Sequence, residues 1–427
     1  MMSDEAMSQS TPVDAAAPSG GAGAILRPLR LRDFRLLFTG ETISMIGDQF
    51  HFVALAWLAL QLTGSGLALG SVLLVAGLPR MILVLVGGAL ADRISPRSVM
   101  LVSNGLRTVV VTLLAALVIS DRVELWMLYP FALFFGAVDA FFWPSMGTIV
   151  PMLVDEADLP AANGLTQGSQ QLTGLIGPAL AGLFVAAVGI GWAFGLDAAS
   201  FAVAALCLYL IVGGRRSAPT GEAHAGMLKT IGAGLAYAWR DPAIRSLLLL
   251  SAAANFALSG PITVGLAWLA DNRFDAGASG FGFMLSSFGA GALAGAIVAG
   301  SLGRVRELGW VTLGTSFVMA ITIALVGLAD SVLMVMLIAV LLGVGIGFTN
   351  VRIVAWLQKR TPDDMIGRVM SLAMMGGVVM SPLSLAVAGI LVDVGAATAM
   401  YVAAGGLIVV MTVAGIVWGV PEQMREA

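Results

Sequence analysis

Six ionisable side chains lie inside long apolar runs in the first half of the sequence. They are three carboxylates, two guanidinium groups and one imidazole: Glu41, Asp48, Asp139, Arg80, Arg107 and His51. Carboxylates and imidazole take up and release protons, and guanidinium groups neutralise carboxylates. Such groups are costly inside a membrane, where they pair with one another or face a water-filled cavity. These residue types therefore indicate ion pairing and proton transfer within a bilayer.

Four of these residues are expected at one depth. Counting ~1.5 Å of rise per residue from the ends of the apolar runs brings two acids and two bases to a similar level. The four are Glu41, Asp139, Arg80 and Arg107. Opposite charges in one layer favour a buried network in which they neutralise one another. The network is either purely structural, or it also opens and closes as the protein changes conformation.

Asp48 is expected at a different depth from that layer. It lies roughly 10 Å farther along its helix than Glu41, on nearly the same face. The base nearest to its depth is His51, one turn away. We interpret Asp48 as the main candidate for reversible proton binding. Glu41, Asp139 and His51 are further candidates.

Two alternatives accompany this interpretation. Asp48 can instead be a carboxylate that stays hydrogen-bonded to a neighbouring helix. His51 is expected to act as a hydrogen-bond partner more than as a titrating group. Asp197 begins another apolar run, and a carboxylate there is expected to stabilise the N-terminus of its own helix.

The composition excludes several classes of protein. Of the 427 residues, 59% are hydrophobic and 11% are charged, whereas soluble proteins carry about 25% charged residues. The net charge of -3 offers no basic excess for nucleic acid. With one cysteine and two histidines, we expect no His/Cys metal site and no cofactor. No nucleophile, base and orienting group cluster as an enzyme would need, so we predict that the protein is not an enzyme.

The apolar runs predict an all-α membrane protein. A membrane-spanning helix needs about 20 mostly apolar residues, and twelve runs meet that length. The first six cover 34–60, 67–90, 99–119, 126–147, 166–188 and 194–212. The second six cover 245–270, 280–301, 309–328, 331–355, 367–391 and 398–419.

A long polar interruption divides the runs into two groups of six. We predict a disordered tail over 1–25, a six-helix bundle over 26–212, a linker over 213–243, a second six-helix bundle over 244–420 and a short tail over 421–427. Within the linker, apolar residues at helical spacing over 227–239 predict an amphipathic helix on the membrane surface. The sequences of the two halves show a weak repeat at an offset of 204 residues. At this offset Pro178 aligns with Pro382, and His51 aligns with Asn255.

Basic residues set the expected orientation. They concentrate before the first run, after the second run and in the linker, whereas the opposite loops contain only Arg122 and Arg273. Because basic loops stay in the cytoplasm, both termini and the linker are expected to be cytoplasmic. The predicted location is the inner, or plasma, membrane, with multiple passes.

Two motifs resemble those of a known family. Segment 88–97 resembles the loop signature Gly-x-x-x-Asp-Arg-x-Gly-Arg-Arg/Lys of the major facilitator superfamily, with Gly88, Asp92, Arg93 and Arg97 in place. The fifth run resembles the antiporter motif of that superfamily's drug exporters, through Gly164, Gly177, Pro178 and Gly182. Further stretches resemble twelve-helix drug:proton antiporters related to macrolide and enterobactin efflux proteins. They are segments 47–49, 62–65, 143–164, 197–201, 358–362 and 367–369.

The resemblance implies a fold, a gate and a hinge. The fold is two pseudo-symmetric six-helix bundles, working as a monomer. The loop signature, together with Arg368, implies a cytoplasmic gate that forms in one conformational state. The helix 5 motif implies a kinked face of small residues on which one bundle rocks against the other, or the same face serves for packing alone.

The residues and the resemblance together predict a secondary active transporter. It would export a hydrophobic or amphipathic small molecule, such as a drug, antibiotic or siderophore-like compound, in exchange for protons. Its partners would be the bilayer, the substrate and protons, with the proton gradient as energy source. Expected cavity residues are Phe52, Phe142, Asn255 and Trp268. The alternative is an importer or facilitator of a small metabolite on the same fold.

Overall fold

Twelve helices long and apolar enough to cross a membrane make up the described part of the chain. A computed structural model describes residues 25–91, 95–213, 235–303 and 305–424. The first half contains α1 (Arg32–Thr63), α2 (Gly66–Ala91), α3 (Pro96–Ile119), α4 (Leu125–Ile149), α5 (Leu159–Val188) and α6 (Ile190–Leu210). The second half contains α7 (Pro242–Arg273), α8 (Gly277–Ser301), α9 (Leu308–Val326), α10 (Val332–Arg360), α11 (Asp363–Asp393) and α12 (Ala397–Val417). The predicted number of helices and the all-α class are confirmed.

The two halves repeat one packing scheme. In the first half α1 packs on α5 and α6, α2 on α4, and α3 on α6. In the second half α7 packs on α11 and α12, α8 on α10, and α9 on α12. Between the halves, the main contacts are α5 with α8 and α2 with α11. This arrangement is a pair of pseudo-symmetric six-helix bundles.

The bundles touch at one face of the molecule. We call the face where α1 begins and α12 ends the terminal face, and the other the distal face. Near the distal face, a Cβ added at Gly70 of α2 would lie 2.5 Å from the carbonyl oxygen of Leu385 in α11. Equivalent additions at Gly182 of α5 or Gly282 of α8 would strike backbone atoms across the α5–α8 interface. Both inter-bundle contacts therefore bring backbone against backbone.

Polar contacts reinforce the distal closure. Asp393, at the end of α11, accepts hydrogen bonds from the Ser65 hydroxyl at 2.6 Å and from the Gly66 backbone N–H at 2.5 Å. On the other interface, the backbone N–H of Ala179 donates to the Ser286 hydroxyl at 2.9 Å.

The bundles separate toward the terminal face. Along α8, Gly282 and Gly289 lie against the backbone of α5, whereas around the Cβ position of Gly300, farther toward the terminal face, no described atom lies within 4 Å beyond the glycine's own surroundings in the helix. A molecule closed at one face and open at the other has a cleft between its bundles. Of the two cavities described below, one lies in the first half and the other in the second half.

Helix ends at the terminal face are held by side chains. Asp33 of α1 accepts from the backbone N–H groups of Val212 and Gly213 at 3.0 and 2.7 Å, beyond the end of α6. Arg97 of α3 donates to the carbonyls of Leu208 and Tyr209 at 2.8 and 2.7 Å. A cation bonded to the last carbonyls of a helix stabilises its C-terminus. The end of α6 is thereby fixed to both α1 and α3.

The structure extends α7 beyond its predicted end at residue 270. Two π-helical segments, Pro261–Gly265 and Leu269–Arg273, continue the helix to Arg273. Arg273 then donates to the Gly327 carbonyl at 2.8 Å, which holds the end of α7 against the end of α9. Most of the amphipathic helix predicted over 227–239 lies outside the described residues.

Candidate functional site

A cavity of about 580 Å³ in the first half contains the candidate site. Its walls come mainly from α1, α2, α4 and α5, with one side chain from α3. All six ionisable residues singled out in the sequence line it: Glu41, Asp48, His51, Arg80, Arg107 and Asp139. The structure thus brings together ionisable residues from four helices in one cavity, whose other walls are mainly apolar.

Arg107 is neutralised by Asp139. The Arg107 side chain is 3% exposed and forms an ion pair with Asp139 on α4. Its guanidinium also lies 4.6 Å from the ring centre of Phe142 and 5.3 Å from that of Phe201. A carboxylate and the faces of two aromatic rings replace the water that the cation loses by burial.

Glu41 is buried beside this pair. Its exposure is 3%, and one carboxylate oxygen accepts a hydrogen bond from the Asn104 amide at 3.4 Å. Asn104 was not among the predicted site residues, although it lies one turn before Arg107 on the same face of α3. That spacing is the signal that would have found it.

His51 is held by Asp197 of α6. The ring nitrogen Nδ1 lies 3.0 Å from the Asp197 carboxylate, and the ring packs against Phe135 and Phe194 at centroid distances of 4.3 and 5.2 Å. The expectation that Asp197 stabilises the start of its helix is wrong. Because α6 begins at Ile190, Asp197 lies about two turns inside it, is fully buried and bonds across to α1.

Asp48 lines the same cavity without such a partner. It is partly exposed, and its carboxylate makes no hydrogen bond or ion pair with any of the described residues. The charged groups near enough to act on it are Arg107, Asp197, Asp139 and Glu41. Of the three acids that line this cavity, Asp48 is therefore the one with no hydrogen-bond or ion-pair partner among the described residues.

The structure corrects the expected position of Arg80. Its side chain is exposed on the cavity wall and, among the described residues, has no ion pair with Glu41 or Asp139. The expected four-membered buried layer is therefore an Arg107–Asp139 pair with Glu41 beside it. Counting residues along a helix does not give the direction of a side chain, and that of Arg80 faces the cavity.

The second half contains a cavity of about 460 Å³. Asn255 of α7 lines it, as predicted, and its amide donates to the Ser251 carbonyl at 2.9 Å. The side chains that line this cavity are apolar, hydroxyl or amide groups, and none of them is ionisable. This wall of the molecule offers shape and neutral hydrogen bonds.

Of the three other residues expected to line a cavity, two do so and one does not. Phe52 and Phe142 line the first cavity. Trp268 does not line either cavity, because it packs against the apolar core between the two π-helical segments of α7. The cavity also contains polar residues that the sequence reasoning missed, namely Gln49, Gln170 and Thr173. Gln170 and Thr173, one turn apart in an apolar run, were the available signal.

The predicted gate residues are only partly visible. Asp92 and Arg93 lie outside the described residues, and Gly88 lies in α2. Arg97 bonds the end of α6 within its own half, and Arg368 donates to the Met365 sulfur at 3.2 Å within α11. These contacts of Arg97 and Arg368 each lie within one half of the molecule.

The helix 5 motif lies at the contact between halves. Pro178 and Gly182 face α8, and Gly177 packs against Gln49 of α1. Gly164, near the other end of the helix, lines a separate apolar pocket between α1 and α5. The motif thus contributes to the contact between halves through Pro178 and Gly182, and to packing within the first half through Gly177.

Comparison with known proteins agrees with this architecture. The transmembrane secretion effector family matches residues 23–426. The chain is 26% identical to the enterobactin exporter EntS of Shigella boydii over 336 residues, which cover 79% of each chain.

Solved structures show the same fold at low identity. A bacterial homologue of the iron transporter ferroportin in an inward-facing state has a TM-score of 0.71 at 19% identity, covering 91% of this chain and 98% of its own. The nucleoside transporter NupG has a TM-score of 0.72 at 12% identity, covering 91% and 99%. The chain therefore belongs to the transmembrane secretion effector family, and it is a membrane transporter with the major facilitator fold.

Proposed function

We propose that the protein exports a hydrophobic or amphipathic small molecule in exchange for protons, by alternating access. The observation that carries this proposal is Asp48, an unpaired carboxylate on the wall of a membrane-embedded cavity. Glu41, Asp139 and Asp197 each have a polar partner. A coupling group must gain and lose its proton in each cycle, and Asp48 can do so without breaking an ion pair.

The form of the bundles supports alternating access. They meet at the distal face and separate at the terminal face. The distribution of basic residues favours a cytoplasmic terminal face, which makes this form inward-facing. Rocking about the α5–α8 and α2–α11 contacts would close the terminal face and open the distal one.

In this scheme Asp48 takes up a proton when the cavity faces outside and releases it when the cavity faces the cytoplasm. The substrate enters from the inside and travels outward in the opposite step. Binding of either ligand shifts the balance between the two forms only by its difference in affinity for them. Because the acid and the aromatic side chains share one cavity, proton release and substrate binding are coupled by proximity.

The outward direction is supported by the relatives, which are named as exporters. Twelve apolar helices suit a multi-pass protein of the inner membrane. We propose that the proton gradient is its energy source, that no cofactor takes part and that the working unit is a monomer in the bilayer. An acidic group on the substrate would find a base in the same cavity, as argued below.

Uphill transport tests the role of Asp48. Inverted proteoliposomes would be given a pH gradient, with erythromycin, enterobactin and rhodamine 6G as probes. We expect wild-type protein to accumulate at least one probe against its concentration gradient. Asp48→Asn should abolish that accumulation and retain exchange of labelled for unlabelled probe.

Asp121→Asn is the matched control, because Asp121 is exposed in the loop after α3. It should transport like the wild type. Flux that does not respond to the pH gradient would contradict the antiporter and indicate a facilitator. Wild-type accumulation by Asp48→Asn would remove Asp48 from the mechanism.

A further inference from the structure

Arg80 is presented to the first cavity by a well-fixed stretch of α2. Leu73, Ala76 and Arg80 share the face of α2 that lines the cavity, at spacings of three and four residues. The backbone of Ala76 packs so closely on α4 that Gly136 has no room for a side chain. Pro79, immediately before Arg80, is buried. The guanidinium therefore projects from a rigid wall.

Among the described residues, this guanidinium has no ion-pair partner. Arg107 is bound to Asp139, and Arg97 to the carbonyls of α6. Arg80 has no hydrogen bond or ion pair with the described residues. Since arginine stays protonated in proteins, the first cavity contains a permanent cation that no described residue pairs with in this form.

The other wall of the cleft does not supply the missing charge. The second-half cavity is lined by no ionisable side chain. The cavity of the other half therefore offers Arg80 no carboxylate as a partner. An unpaired cation at membrane depth is costly, and a ligand that brings a negative charge removes that cost.

We propose that Arg80 binds an acidic group of the transported molecule, a carboxylate or another anionic oxygen group on an amphipathic body. A guanidinium donates two parallel hydrogen bonds to such a group. Around it, Phe52, Leu55, Phe142 and Trp143 supply an apolar and aromatic lining for the rest of the molecule. The inference rests on the proposed function, because it takes this cavity to be the transport site.

Asp48 is the competing partner for Arg80. Both groups line the cavity, and another conformational state would pair them if Arg80 served as a structural gate. The two roles differ in what the substitution of Arg80 removes. Loss of a ligand anchor weakens anionic ligands alone, whereas loss of a gate changes binding of all ligands in the same direction.

Equilibrium dialysis with three naphthalene probes of one size separates these roles. The probes are 1-naphthaleneacetate, 1-naphthaleneacetamide and 1-naphthylmethylammonium, with empty micelles as blank. We expect the purified protein to bind the anion at least about tenfold more tightly than the amide, as charge-assisted hydrogen bonds allow. Arg80→Gln should abolish this preference and leave amide binding unchanged, and Arg80→Lys should restore part of it.

Arg122→Gln is the control for net charge, because Arg122 lies exposed in the loop before α4. It should keep the full preference for the anion. Equal affinity of the wild type for all three probes would overturn the proposal, as would a uniform loss for all three in Arg80→Gln. Thermal unfolding of each variant checks that it is folded.

This measurement is independent of proton coupling. A facilitator without coupling would still prefer the anion if Arg80 binds it. Uphill transport without anion preference would overturn the role of Arg80 and leave the antiporter intact. The two failures are therefore distinguishable.

Discussion

The cavities of the two halves differ in charge although the helices around them correspond. The first cavity is lined by six ionisable side chains, and the second, about 460 Å³ against about 580 Å³, by none. His51 and Asn255, related by the weak sequence repeat, line the two cavities respectively. The shared scaffold therefore does not dictate shared chemistry: one half provides ion binding and the other a neutral wall.

The contacts between the halves, in contrast, are alike. On one side α5 meets α8 through Gly182 and Gly282, and on the other α2 meets α11 through Gly70 and Gly389. Both pairs are closest near the distal face. Motion is thus expected to be symmetric even though the chemistry is not.

If both contacts between the halves open symmetrically, a disulfide across the contact between α2 and α11 should abolish transport. The Cβ position of Gly66 lies 3.4 Å from the Cβ of Val392, close to the separation found in disulfides. In a Cys207→Ser background, oxidation of the Gly66→Cys, Val392→Cys variant should lock the distal face and stop transport. Flux into proteoliposomes, before and after oxidation, measures the effect.

Reduction with dithiothreitol should restore the flux, and either single cysteine variant should be insensitive to oxidant. Full activity of the oxidised double variant would mean that α2 and α11 stay together throughout the cycle. The symmetric motion would then be excluded.

A matched pair of substitutions sharpens the difference between the cavities. Asp139→Ala leaves the Arg107 cation buried and unpaired, which should cost about 3 kcal/mol of unfolding free energy. Asn255→Ala in the other cavity removes one neutral hydrogen bond, which should cost about 1 kcal/mol or less. Unfolding of both variants in detergent gives the comparison.

Adding Arg107→Leu to Asp139→Ala should recover part of the stability, because the orphaned charge is gone. Additive losses in that double variant would show that the two side chains do not stabilise each other. Equal losses of unfolding free energy for Asp139→Ala and Asn255→Ala would contradict the proposed difference in charge pairing between the cavities.

The smallest expected effect concerns Asp241, which caps α7 at the terminal face. It accepts from the backbone N–H of Ala243 at 2.9 Å and from Arg360 at 3.0 Å. Burial raises the pKa of Asp241, but the Arg360 and backbone hydrogen bonds outweigh it and leave the pKa below its ordinary value. The resulting stability is complete above an unfolded pKa of about 3.9 and is lost as the pH falls through the lowered folded value.

Asp241→Asn keeps a capping side chain and loses only the ion pair, a change of about 0 to 1 kcal/mol. Wild type and variant should therefore differ slightly in unfolding midpoint at pH 7, and the difference should begin to shrink as the pH falls below about 3.9. A difference that does not change as the pH is lowered through the acid range would mean that charge on Asp241 contributes nothing.

The sequence predicts the helices well because the length and hydropathy of an apolar run are enough to identify a membrane-spanning helix. It also predicts that Glu41, Asp139, Arg80 and Arg107 lie near one another, and all four line one cavity, which Asp48 and His51 line as well. It does not predict which of them pair. Arg107 takes Asp139 because aromatic rings from α4 and α6 surround its guanidinium, and Asp197 reaches His51 because α6 begins earlier than the hydropathy suggests.

Errors arise where side-chain direction matters. Arg80 faces the cavity instead of pairing with a buried carboxylate, and Trp268 follows a π-helical segment that shifts the faces of α7. A single π turn moves later side chains out of helical register. Neither the rotation of a helix nor a π turn leaves a hydropathy signal.

The glycine contacts at the distal face have a consequence for how such a transporter can diversify. Their touching atoms are carbonyl oxygens and α-carbons, such as those at Gly182 and Gly282. Main-chain atoms are common to all residues, so the rocking surface tolerates substitution nearly everywhere except at a few positions that must lack a side chain. The residues that line the cavities can therefore change to suit a new substrate while the contact surface between the two halves keeps its shape. Proteins with little sequence in common can thus keep the same conformational change and differ only in the substrate that they transport.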